Sequence, residues 1–246
     1  MLNKMHSLLC GAILSLLFQT NTSAQQLSKL EVGQKETYVV AGNVLQVDTL
    51  ILHDKATLKF PSGQQSSLKV AHAVIGQQCT ITAAGQDGSP GRLNNNGGDG
   101  QDAGHLHLEM HLAKLGSLTI DTRGGKGGNG YVGKNGMKAS APLNAPRTRT
   151  SGEIGTAPGV GGNGGNVTLY YSTSGFTPIF NHKVAPQRIN IFYQAGVVGA
   201  NGRDGTSYYK DDRGRPGLSY SPRSKDHIDG KVQIERVDAS VNSGPF

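Results

Sequence analysis

The sequence predicts an all-β protein: a short β-solenoid or β-sandwich base with an inserted bundle of extended glycine-rich helices. Three observations predict it. Short alternating apolar stretches recur about every ten residues in the first third of the chain, the spacing of strands in sandwiches and small solenoids. Glycine supplies 36 of 246 residues, about twice its usual share, while Trp is absent, which excludes a conventional helix-rich enzyme core. The glycines also keep a beat of three, longest in Gly124, Gly127, Gly130, Gly133 and Gly136. A period of three fits neither an α-helix nor a strand; it fits the extended left-handed helix with three residues per turn. Such a helix has no internal hydrogen bonds, so its backbone groups need neighbouring chains, which glycine lets approach closely.

Residues 1–24 read as an export signal: Lys4, no acidic residue, an apolar stretch over 8–18, then Thr22-Ser23-Ala24 before Gln25. Without Lys4 the formal charge falls from +7 to +6. No later apolar stretch approaches the roughly 20 residues of a membrane span, so the mature chain is expected to carry no transmembrane segment. Its expected location is outside the cytoplasm: extracellular, cell-surface or periplasmic. Cys10 leaves with the signal, and Cys79, within Cys79-Thr80-Ile81-Thr82, is expected to be a buried small apolar residue rather than a reactive thiol.

Residues 25–84 form the expected strand-rich base. Its apolar stretches are 44–47, 49–52, 56–60, 67–70, 73–75 and 79–83, separated by Asp, Gly, Pro and Ser. From 85 to 217 a larger unit repeats three times: entering strand, glycine run, tip, returning glycine run, leaving strand. Unit one runs Gly85, Gly88, Gly91, turns over 92–96, and returns through Gly97, Gly100 and Gly104 to a strand at 105–112. Unit two enters on 118–121, runs from Gly124 to Gly136 and turns through 137–151. It returns by Gly152, Gly155, Gly161 and Gly164 to a strand at 167–171. Unit three enters on 189–193, runs Gly196, Gly199, Gly202, Gly205, turns near 206–213, and returns briefly at Gly214 and Gly217. Residues 218–246 form the C-terminal segment, with a last strand at 232–235. At about 3.1 Å per residue, unit two projects roughly 40 Å and unit one roughly 22 Å.

The glycine pattern over 85–217 resembles the polyglycine-II bundles of tailed-phage receptor-binding tip adhesins and of snow-flea antifreeze proteins. The first resemblance implies a rigid bundle whose tip loops touch a receptor; the second implies a flat ice-facing surface. Lys126, Lys134, Arg203 and Asp204 at non-glycine positions fit the first better than the second. The phrase from Thr49 to Leu58 resembles the rungs of parallel β-helix proteins.

Several motifs bear on chemistry. Gly128-Asn129-Gly130-Tyr131-Val132-Gly133 matches a dinucleotide fingerprint only because of the triplet beat, with no βαβ unit around it. Residues 97–102 and 161–166 partly match a calcium-binding nonapeptide repeat, but as isolated copies. His105, His107, Glu109 and His111 alternate on one strand, where His-x-His is able to hold zinc; the plainer reading is a polar face opposite a core face. No cofactor is expected beyond these calcium and zinc alternatives. No GxSxG or HExxH motif is present, and no catalytic residue is assigned.

Side-chain diversity returns at the tips, where Arg147, Arg149, Tyr208, Tyr209, Lys210 and Arg213 are the candidate binding residues. The expected function is a non-enzymatic, adhesin-like surface protein whose tips contact an anionic glycan or an envelope protein. Self-association is a further expected partner mode, and nucleic acid is not expected. The rival readings are a subunit of an extracellular filament or matrix, and a secreted β-helix enzyme acting on polysaccharide.

Overall fold

The computed structural model describes residues 24–136, 151–208, 214–215, 219–220 and 227–237; apart from Ala24, the expected export segment lies outside them. The described chain is strand-rich and contains no helix. None of it is therefore a helix long and apolar enough to cross a membrane.

The strands alternate between two sheets as the chain advances. β1 (Ala24–Val32) enters the first sheet, β2 (Thr37–Val39) the second, β3 (Val44–Leu52) the first and β4 (Thr57–Lys59) the second. β5 (Gln65–Ile75), β6 (Cys79–Thr82), β7 (His105–Leu115) and β8 (Ser117–Asp121) continue the alternation, followed by β9 (Val167–Thr173) in the first sheet. β10 (Ile179–Phe180) and β11 (Arg188–Phe192) join the second. Two short antiparallel pairs then link β12 (Gly202–Arg203) with β15 (Ser219–Tyr220), and β13 (Ser207–Tyr208) with β14 (Gly214–Arg215); β16 (Val232–Arg236) closes the first sheet. The orders are β1-β3-β5-β7-β9-β16 and β10-β11-β8-β6-β4-β2, and every pairing within these two six-stranded sheets is parallel.

Alternation along each strand builds the core. One inward row of the first sheet aligns Leu45, Leu68, Leu108 and Leu169, all fully buried. The second sheet answers with Leu58, Ile81, Ile120 and Ile191. Stacking like residues rung upon rung lets one branched side chain fill the space left by the next, and burial of each contributes roughly 1.5–3 kcal/mol. One corner repeats in three successive coils, where Lys35, Lys55 and Gln78 take φ values of 61°, 64° and 58°. The turns stack through Lys35 N–H to Asp54 O and Lys55 N–H to Gln77 O.

Three differences from the sequence reading follow from this winding. Stretches 44–47 and 49–52 are one strand, β3, and 67–70 and 73–75 are one strand, β5. Asp48 and His72 face outward at the join, where the inward row changes phase, from Leu45 and Val47 to Leu50 and Leu52 and from Leu68 and Val70 to Ala73 and Ile75, and the pairing of β5 with β7 shifts register between Val70 and Val74. The strand base also does not end at residue 84, because β7, β8, β9, β11 and β16 extend the same two sheets. Finally, β1 and β2 were not anticipated, since Lys29 and Glu31 break the apolar pattern of β1 where it faces solvent.

Candidate functional site: the glycine arms and the end they reach

Where the coils turn from the second sheet back to the first, the early coils use short loops and the later ones run out into glycine-rich arms. β6, β8 and β11 lead into outgoing arms at 84–91, 122–136 and 193–206; arms at 97–104, 151–166 and 227–231 lead back into β7, β9 and β16.

Outgoing arms bond to outgoing arms in parallel. Gly85, Gly88 and Gly91 donate to Arg123 O, Lys126 O and Asn129 O. Gly124, Gly127, Gly130, Gly133 and Gly136 donate in turn to Gln194 O, Val197 O, Ala200 O, Arg203 O and Thr206 O. Returning arms do the same: Gly97 and Gly100 to Ala157 O and Val160 O, and Gly164 to Ile228 O. A second set of bonds crosses between outgoing and returning arms, among them Gly125 to Gln101 O, Gly128 to Gly98 O, Gly159 to Gly128 O, Gly162 to Gly125 O and Gly196 to Gly162 O. The N–H groups of these extended arms thus find carbonyls in adjacent arms.

The glycines are needed for contact rather than for unusual torsions. A Cβ at Gly127 would lie 2.1 Å from Gly159 O, and one at Gly128 1.9 Å from Ser89 O. Both are far inside van der Waals contact, and the obstacle is backbone, which cannot swing aside.

The residue before many of these glycines has a role that sequence reasoning missed. Asp99 Oδ1 accepts the Val160 N–H at 3.0 Å, while Gly100 N–H donates to the carbonyl of that same Val160 at 2.9 Å. Asp87-Gly88 grips Lys126 in the same way, Asn96-Gly97 grips Ala157, Asn129-Gly130 grips Ala200, Asn135-Gly136 grips Thr206 and Asn163-Gly164 grips Ile228. Asp102-Ala103 on Asn163, His105-Leu106 on Asn166 and Asn166-Val167 on Lys231 complete the series. Each pair is a two-point clamp, and it satisfies the outward N–H that the glycine bonds leave over. The signal was present as Asn or Asp before Gly at a spacing of three.

These clamps account for the motifs at 97–102 and 161–166. The oxygens of Asp99, Asp102, Asn163 and Asn166 face backbone amides of the next arm. The triplets at 128–133 belong to an outgoing arm, with no helix for a dinucleotide phosphate to cap.

His105, His107, Glu109 and His111 do share the outer face of β7, with Leu106, Leu108, Met110 and Leu112 buried behind them. Their partners differ. His105 Nδ1 accepts Asn166 N–H, His107 pairs with Glu109 at 3.0 Å, and both His111 nitrogens meet the hydroxyls of Ser172 and Ser174. Among the described residues no group of three or more His, Cys, Asp or Glu converges to hold a metal ion. Cys79 is fully buried, its Sγ within 3.1 Å of His53 O, and burial pushes the thiol above its ordinary range.

Of the tip candidates, Arg147, Arg149, Tyr209, Lys210 and Arg213 lie outside the described residues, and Tyr208 ends β13. The roots of the two longer tips are described. Gly136 N–H meets Thr206 O, and Gly152 N–H meets Ser207 Oγ at 2.8 Å, so the far ends of the second outgoing, second returning and third outgoing arms adjoin. Just below, Tyr131 donates to Glu153, which also accepts Lys134 N–H; these bonds hold the Glu153 carboxyl below its ordinary range and push the Tyr131 phenol up. The third return also differs from expectation: Gly214–Arg215 pairs with β13, Gly217 lies outside the described residues, and the arm that bonds to Gly164 is 227–231, beyond residue 217.

No protein family, curated protein or solved structure that was compared matches this chain.

Proposed function

We propose that this chain is an exported, non-enzymatic, adhesin-like binding protein. In this reading the six glycine arms form a polyglycine-II bundle that continues a β-solenoid, and the bundle is a rigid arm. The basic, tyrosine-bearing segments at 137–150 and 209–213 are its contact loops. An anionic glycan or an acidic envelope protein outside the cytoplasm suits their charge.

The observation that carries the reading is the convergence of the two loop roots through Gly136 with Thr206 and Gly152 with Ser207, at the end of an arm projecting roughly 40 Å. Two loops rooted together form one contact surface, and a stiff support keeps its geometry without an ordering cost on binding. The test is glycan-array binding by the mature chain, with and without replacement of Arg147, Arg149, Tyr208, Tyr209, Lys210 and Arg213. Loss of binding in the variant with unchanged circular dichroism is expected; unchanged binding removes the loops as the site.

A second reading, a subunit of an extracellular assembly, draws on β16 at the edge of the first sheet, where the inward-row Ile234 remains 38% exposed. Parallel sheets with open edges are able to add strands from another copy. Light scattering coupled to size exclusion separates the readings: a monomer at high concentration favours the adhesin, and concentration-dependent growth favours the subunit.

A further inference from the structure

The chain contains five Asn-Gly pairs, the dipeptide most prone to spontaneous deamidation because glycine offers no Cβ to hinder ring closure. Four are locked at both reacting groups. Asn96, Asn129, Asn135 and Asn163 each hold a backbone N–H of the neighbouring arm with the side-chain oxygen, at 3.1, 2.9, 2.8 and 3.2 Å. In each case the following glycine nitrogen, which must attack, is committed to the carbonyl of the same neighbouring residue. Ring closure would break both bonds and rotate the asparagine out of the extended arm.

Asn201-Gly202 is the exception. It lies on the third outgoing arm, the outermost of its set among the described residues, so no further outgoing arm exists there for it to clamp. Among the described residues the exposed Asn201 side chain makes no hydrogen bond, so its reacting carbonyl is unclamped; Gly202 itself is buried, where a Cβ would lie 2.1 Å from Thr156 O and 2.4 Å from Tyr131 O, and it pairs with Tyr220 across a two-residue antiparallel bridge.

We propose that Asn201 is a modification site, the one Asn-Gly pair of the folded protein that converts spontaneously to aspartate and isoaspartate. When local opening of the arm brings the buried Gly202 nitrogen to water, it loses its proton and attacks the Asn201 side-chain carbonyl carbon, and the side-chain nitrogen leaves as ammonia. Water then opens the resulting succinimide at either carbonyl. The products place a new carboxylate beside Arg203 and Asp204, and the iso form lengthens the arm by one backbone carbon, out of step with its three-residue period.

The experiment is peptide mapping by mass spectrometry of the mature protein held at mildly alkaline pH, native and in denaturant. In denaturant all five pairs are expected to react at similar rates. In the native protein Asn201 is expected to react about tenfold faster or more than the other four, since each of those must also release its side-chain clamp before the ring closes. Native parity among the five, or faster reaction at any clamped pair, overturns the proposal. Ala200→Pro supplies an independent arm, because proline suits the extended φ and removes only the N–H that Asn129 holds. Acceleration at Asn129 in this variant, with unchanged circular dichroism, supports clamping as the cause; an unchanged rate at Asn129 overturns it.

Discussion

At Gly127 a single methyl group would meet Gly159 O at 2.1 Å, so the two arms would have to part. Gly127→Ala is expected to cost about 3 kcal/mol, combining overpacking with lost backbone bonds, as read by chemical denaturation. Gly175 is the contrast: its φ is +80° and a Cβ there meets nothing within 4 Å, so Gly175→Asn should stay within about 1 kcal/mol. The clamps predict a different pattern. Asp99→Ala leaves the Val160 N–H without its acceptor and should cost about 1 kcal/mol, whereas Asp99→Asn keeps an oxygen in place and should recover most of it. The Tyr131–Glu153 contact sets a pH window. The lowered Glu153 carboxyl stabilises the fold above the ordinary carboxylate range and loses that contribution as pH falls through its folded value. The raised Tyr131 phenol contributes fully below the ordinary tyrosine range and loses its contribution as pH rises through its own folded value. Glu153→Gln should flatten the acid limb of a melting-temperature profile; an unchanged acid limb would remove Glu153 from this role. The glycines were legible from their beat, but Asp99 and Asp102 were not, because an oxygen donor beside glycine serves a calcium shell and a clamp between arms equally well. Only the neighbouring arm distinguishes them.

Strands were legible wherever one face is buried and the other wet. β7 carries His105, His107, Glu109 and His111 outward and Leu106, Leu108, Met110 and Leu112 inward, as alternation requires. Leu108 sits mid-row between Leu68 and Leu169, and Leu108→Ala should cost about 2–5 kcal/mol in the same denaturation assay. A cost under about 1 kcal/mol would mean that the two sheets do not share the packed core described. Strand ends were less legible. β3 and β5 continue past Asp48 and His72, where the inward row changes phase by one residue, because backbone pairing resumes on the far side whatever the polarity of the side chain at the join. The last arm was missed for a related reason: over 227–231 Asp229-Gly230 supplies a single glycine, and a period cannot be read from one.

As a whole, the molecule is one winding with two kinds of turn. Early coils close within a few residues, and later coils run outward before closing, so the arms inherit the parallel order of the sheets they leave and rejoin. That inheritance explains why arms with little apolar surface are ordered: the two parallel sheets hold their roots in register, and backbone bonds continue the register outward. Native-state amide hydrogen exchange followed by NMR tests this account. Gly124, Gly127 and Gly130, together with the clamped N–H groups of Val160 and Ala200, are predicted to be protected to a degree approaching that of Leu108 in β7. Exchange of those amides at the rate of an unstructured chain, with β7 still protected, would contradict it.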